Sequence, residues 1–383
     1  MRLDSTSLKK VGIAAALILG SVSLAAAQGP NPADLAGKTA EQAFKNIQVL
    51  KGIPADQVFP TMRFIRDSLG GVSCQFCHAG DDRASDEKPT KQMARKMIAM
   101  ELAINKSTFE GRAEVTCYTC HRGSTDPVGT PVIPEGATAT AAPANQKAPE
   151  LPTVDQILAK YVAALGGEQA LRKVTSRVET GTADVPGGGP AGGRGTQGPM
   201  EFDSKAPNLN VLVLPAGNGT ATQGFDGNVA WAADNRGHVT QATGIDLDRA
   251  KRASDFYEPL DMKQEYDRLV VRGIEKVNGH DAYRLAGTPK GDSRERLYFD
   301  TQSGLLVRRI VVNATPLGND PTQTDYGDYR DAGDGVKVPF LVETSTYTQK
   351  TTLHVQKVQD NVQIDSGKFN RPAAKAEPAA GGQ

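Results

Sequence analysis

The sequence predicts an α-helical N-terminal domain followed by an α+β domain with a curved antiparallel sheet. Three observations predict this. Up to residue 126, apolar side chains recur at helical spacing. From 127 to 152 the chain is rich in Pro, Ala and Thr and has no such period. Beyond 153, one helical pattern gives way to short segments that alternate polar and apolar residues. The 383 residues are enough for two domains plus linkers. With 40 Gly, 23 Pro and only 5% aromatics, much of the chain must be loop or tail. Basic and acidic residues balance at 44 each, which argues against a nucleic-acid binder.

The elements follow in chain order. Lys9 and Lys10 precede an apolar run over 11–24, and Ala25-Ala26-Ala27 supplies small residues for cleavage. Residues 1–27 therefore read as a signal peptide, with the mature chain starting at Gln28. The run is too short and too alanine-rich for a comfortable membrane span, although an uncleaved anchor is the alternative. The expected location is the periplasm or the periplasmic face of the inner membrane.

Residues 28–126 hold two copies of a helix followed by Cys-x-x-Cys-His. The first helix is expected over 54–69, with Val58, Met62, Ile65 and Leu69 on one face and Gly70-Gly71 at its end. The second is expected over 89–106, with Met93, Met97, Met100 and Ile104 on one stripe. The motifs are Cys74-Gln75-Phe76-Cys77-His78 and Cys117-Tyr118-Thr119-Cys120-His121. In this pattern the thiols of Cys74, Cys77, Cys117 and Cys120 form thioether bonds to haem vinyl groups, and His78 and His121 ligate iron. All four cysteines of the chain are used. A zinc ribbon or a dithiol redox pair does not explain the His after each pair. The expected cofactors are two covalently bound haem c groups, and haem attachment agrees with export.

A c-type haem needs a sixth ligand unless it binds a small molecule. The other histidines, His238, His280 and His354, lie far along the chain, which leaves methionine sulfur. Met/His ligation favours reduced iron and raises the potential. Met62, twelve residues before Cys74, is the candidate for the first haem. Met93, Met97 and Met100 are candidates for the second, and a Met stripe can also simply pack a core. The expectation is one ligand and two packing residues.

The second domain is expected over 153–370. Thr153-Val-Asp-Gln156 is a capping box that opens a helix. Val154, Ile157, Leu158, Tyr161, Val162 and Leu165 line one face, and Gly166-Gly167 closes it. Strands are expected at 209–214, 282–287, 295–299, 305–312, 340–348 and 351–358, with a hairpin turn at Asp300–Gly304. Residues 371–383 read as a disordered tail. The glycine-rich 186–198 lacks a following helix, so a phosphate loop is not expected. The three late histidines are expected at the surface.

The haem region resembles the cytochrome c subunit of photosynthetic reaction centres. The stretches that carry the resemblance are Asn46–Leu50, the Met62 helix, Ala94–Met100 with Ile104-Asn105, and Val115-Thr-Cys-Tyr-Thr-Cys-His-Arg-Gly123. In that family each haem follows a helix that bears its own Met ligand. The resemblance implies Met62 for the first haem and Met97 for the second, with Met100 as runner-up. The family usually has four haems, whereas this chain has two motifs. Phe109 stands near the place of a family His that serves a distant haem. The second domain resembles, at the level of pattern, the half-barrel of periplasmic lipoprotein carriers. Such a sheet can hold an acyl chain, or its concave face can be a filled core.

These readings point to an exported dihaem carrier that passes single electrons between redox partner proteins, with a membrane electron-transfer or reaction-centre complex as one candidate partner. One alternative is a dihaem peroxidase- or reductase-like enzyme, which needs an open iron position. The other is a lipophile-binding module with a haem arm. Arg122, beside His121, reads equally as a propionate partner or a solvated charge.

Overall fold

The computed structural model describes residues 32–80, 82–127, 129, 151–187, 195–292, 294–333 and 335–373. The expected signal peptide and most of the 127–152 linker and the 371–383 tail lie outside the described residues. So does much of the glycine-rich stretch.

The first part is helical. Short helices α1 (Pro32–Leu35) and α2 (Ala40–Ala43) precede α3 (Val58–Ser68), α4 (Pro89–Thr108) and α5 (Cys117–His121). Pro89 starts α4 at a position where a missing N–H costs nothing. The left-handed Gly70 and Gly71 follow α3 as expected. The buried face of α3 is not the expected one. Val58, Thr61 and Phe64 are buried, whereas Met62, Ile65 and Leu69 are half-buried beside them. The face is turned because Phe64 packs against Leu50, Ile98 and the distant Leu317.

The second part is a sheet curled around a helix. Helix α6 (Val154–Ala164) starts at the Thr153 capping box, in which Thr153 and Gln156 side chains each accept from the other's backbone N–H. Helices α7 (Glu168–Leu171), α8 (Gly244–Ala253) and α9 (Glu258–Asp261) complete the helical content here. The strands are β1 (Ser176–Val185), β2 (Thr196–Lys205), β3 (Leu209–Ala216), β4 (Gly219–Phe225), β5 (Ala230–Ala233), β6 (Val239–Gln241) and β7 (Tyr266–Val277). They continue with β8 (His280–Pro289), β9 (Glu295–Asp300), β10 (Leu306–Thr315), β11 (Gly318–Asp331), β12 (Lys337–Ser345) and β13 (Lys350–Asp360). Their order is β6-β5-β4-β3-β2-β1-β13-β12-β11-β10-β9-β8-β7. Every pairing is antiparallel. The expected turn after β9 is present, with Asp300 accepting from the Gln302 and Ser303 amides.

One core fixes the curvature. Ile157, Leu158 and Tyr161 of α6 pack in one cluster with Met200 and Phe202 of β2, Leu285 of β8 and Phe299 of β9. Strands so far apart in the sheet can meet one helix only if the sheet bends around it. The Tyr161 and Phe299 rings meet edge to face at 5.2 Å. The concave face is therefore filled by the protein's own side chains.

Candidate functional site

The two motifs lie at opposite ends of α4, which ties them together. In the first, a 3-10 turn over Cys74–Phe76 leads to His78. Thr90 in the first turn of α4 donates to the Phe76 carbonyl. In the second, the Thr116 side chain caps α5. Asn105 near the end of α4 then grips Val115 twice. Its Nδ2 donates to the Val115 carbonyl at 2.6 Å, and its Oδ1 accepts the Val115 amide at 3.0 Å. None of the four cysteines is paired in a disulfide. Among the described residues no group of three or more Cys, His, Asp or Glu is arranged to hold a metal ion.

Each motif histidine is held in the same way. His78 Nδ1 is 3.1 Å from the Arg83 carbonyl, and His121 Nδ1 is 3.0 Å from the Ser124 carbonyl. A carbonyl at Nδ1 assigns the proton there and leaves Nε2 as the basic nitrogen. The loop that offers the Arg83 carbonyl is itself clamped. Lys91 donates to the carbonyls of Arg83, Ala84 and Ser85, and Asn46 donates to Ala84 and Asp86. Arg95 binds Asp86 at 2.8 Å, and this contact and Asn46 hold the Asp86 carboxyl well below the usual carboxylate range. Burial holds His78 below the ordinary imidazole value, and the charges of Lys91, Arg83 and Arg95 add to this. Cys117 donates to Glu101 Oε2 at 2.9 Å, and burial pushes both groups up.

The methionines do not lie where a packing role would put them. Met93, Met97 and Met100 are 51%, 38% and 49% exposed. On the adjoining face of α4, Lys91, Glu101 and Asn105 are at most 9% exposed, with Ile98 between them. The expectation that two of the three methionines pack a core is thus corrected. The buried positions go to polar side chains because the loops they bind present backbone groups that need partners. Met62 is half-buried at the edge of the cluster formed by Leu50, Phe64, Ile98 and Leu317, and Cys117 touches that cluster as well. Phe76 and Tyr118, inside the two motifs, are also exposed.

The remaining expected residues are placed plainly. His238, His280 and His354 are exposed, as expected. Arg122 is exposed and left-handed at the end of α5. Residues from the second part that reach the helical part were not foreseen. Leu317 at the β10–β11 turn is fully buried against Phe64, and Tyr347 at the β12–β13 turn meets the Tyr118 ring edge to face at 6.1 Å.

The comparisons address the helical part first. Residues 16–163 match the family model of the photosynthetic reaction centre cytochrome C subunit. That part of the chain is similar to these subunits in sequence as well. It is 36% identical over 98 residues to the photosynthetic reaction center cytochrome c subunit of Thermochromatium tepidum, covering 25% of this chain and 24% of that protein. It is 31% identical over 126 residues to the same subunit of Rubrivivax gelatinosus, covering 32% of each. Cytochrome c-554 of Chloroflexus aurantiacus is 35% identical over 85 residues, covering 21% of this chain and 20% of that protein. The chain thus spans at most about a third of the length of these relatives. Two solved structures align with the other part. A DUF1329 family protein from Desulfovibrio piger aligns over 57% of this chain and 97% of its own, at 14% identity and a TM-score of 0.41. A LolA superfamily protein from Nitrosomonas europaea aligns over 58% and 99%, at 11% identity and a TM-score of 0.38.

Proposed function

We propose that this chain is an exported dihaem c-type cytochrome that carries single electrons between redox partner proteins. A haem, when bound, supplies an iron that takes up and returns one electron. The residues here fit two such groups. Cys74 and Cys77 anchor one, and Cys117 and Cys120 anchor the other. His78 and His121 offer Nε2 to iron, each fixed by a backbone carbonyl at Nδ1. Met62 and Met97 would each supply a sulfur ligand to one iron, with Met100 as the alternative to Met97. Asn105 and Thr90 hold the two attachment segments on one rigid helix.

The observation that carries this reading is the inverted helix α4. Its three methionines are exposed, while Lys91, Glu101 and Asn105 are buried together with Ile98. In a soluble protein an exposed Met stripe between two Cys-x-x-Cys-His motifs is suited to cover porphyrin. The similarity to cytochrome subunits supports the same reading. The periplasm, or the periplasmic face of a membrane, is the location that agrees with this chemistry. Among the described residues no helix is long and apolar enough to cross a membrane. A membrane electron-transfer or reaction-centre complex is one candidate partner.

A cavity in the β-rich part is small for a lipid. The cavity beside α6, lined by Ile157, Lys160, Tyr283 and Phe299, is about 140 Å³. Pockets for drug-sized ligands are roughly 300–1,000 Å³. A carrier with both irons six-coordinate is expected not to bind carbon monoxide when reduced. Rapid binding at one iron would instead make the protein a peroxidase- or reductase-like enzyme.

A further inference from the structure

We propose that the β-rich part belongs to the cofactor site, because its β10–β11 hairpin holds the helix that carries Met62. The proposal rests on the reading of Met62 as an axial ligand. Helix α3 is gripped at the residues that follow Met62. Arg63 Nε donates to Asp320 Oδ2 at 2.6 Å, and the Asp320 side chain is buried. The Phe64 ring lies against Gly318, whose φ of 150° and closeness to that ring leave no space for a Cβ. Leu317 is fully buried in the same cluster that Met62 and Cys117 touch.

The hairpin is itself anchored. The Asp320 carbonyl accepts from Asn313 Nδ2 at 2.9 Å, and Arg249 of α8 donates to both Asn313 and Asp292. A second hairpin braces the far end of α3. Arg66 donates to Thr348, which donates to Asp67 at 3.2 Å. An aliphatic side chain locked between Leu50, Phe64 and Ile98 sets the depth of α3, and a charged pair sets its rotation. Depth and rotation together decide where the Met62 sulfur sits. A sulfur held at bonding distance favours the reduced iron, whereas a loosened one does so less. Leu317 and Asp320 are positioning residues; they do not ligate iron.

The test uses the full-length holoprotein and three variants: Leu317→Ala, Asp320→Asn and Met62→Ala. The readouts are covalent haem content, the two potentials by optical titration, and carbon monoxide binding to the reduced protein. Leu317→Ala is expected to keep both haems attached and to lower one potential. The shift should be about tenfold in the reduced-over-oxidised preference, about 59 mV for a one-electron couple. The same haem should begin to bind carbon monoxide. Asp320→Asn should shift the same haem in the same direction by less, and it decides the matter if Leu317→Ala does not fold. If Met62→Ala moves one potential but neither hairpin variant does, the proposal is overturned while the ligand reading stands. A lower melting temperature with unmoved potentials in both hairpin variants has the same meaning. If Met62→Ala leaves both potentials unmoved, the ligand reading fails and takes this proposal with it.

Discussion

One helix in each half, α6 and α4, shows how differently the two regions use their buried positions. In the β-rich part, α6 buries Ile157, Leu158 and Tyr161, and a continuous core surrounds it. In the helical part, α4 buries Lys91, Glu101 and Asn105 and leaves three methionines outside. The apolar cluster there contains only Leu50, Phe64, Ile98 and the borrowed Leu317 as fully buried members. The difference teaches what each half is for. A sheet wrapped on a filled core stabilises itself by burial, at roughly 25 cal/mol per Å² of apolar surface. In α4 the buried polar side chains instead clamp the neighbouring loops through hydrogen bonds.

That contrast can be broken by exchanging the insult between the halves. Phe299→Ala removes a fully buried ring from the β-rich core and is expected to cost about 3–5 kcal/mol in urea unfolding. The haem absorption should not change. The exposed Met97 should behave in the reverse manner. Met97→Ala is expected to turn one iron high-spin in the visible and near-infrared spectra, while the unfolding of the β-rich part keeps its midpoint. If Met97→Ala leaves the spectrum unchanged and Met100→Ala alters it, the second ligand is Met100.

A smaller effect separates the halves by pH. Glu179 of β1 is buried beside Arg177 and Asp360. Burial pushes its carboxyl up to about 8, Arg177 opposes this and Asp360 adds to it. The folded chain then keeps a proton that the unfolded chain releases above the ordinary 4.5. The stability that this group contributes is therefore fully present below 4.5 and is lost as pH rises towards 8. Urea midpoints across this range should fall in the wild type and flatten in Glu179→Gln. Equal slopes in both would remove Glu179 as the cause.

Much of the site could be read from residue order alone. The motifs, the Thr153 box and the periods of α3, α4 and α6 are local signals, and they found their elements. The orientation of α4 was not legible. A Met stripe at helical spacing looks the same whether it meets a core or a cofactor. What decides the matter is that Lys91 and Asn105 find backbone partners in loops that the period does not describe. The turned face of α3 has a similar cause, since its main partner, Leu317, lies more than two hundred residues away in a Pro-Leu-Gly turn. Strands such as β11, Gly318–Asp331, were missed because their polar residues hide the alternation. There the buried positions include Asp320, Thr322 and Thr324, each satisfied across the sheet or across the two halves.

The central claim is that two haems are covalently attached, one at each motif. The mass of the intact purified protein tests it, measured beside the Cys74→Ala/Cys77→Ala double variant. The account predicts the polypeptide plus two haem masses for the wild type and plus one for the variant, with haem stain per chain halved. A wild-type mass equal to the bare polypeptide, or a variant that still carries two haems, would contradict it.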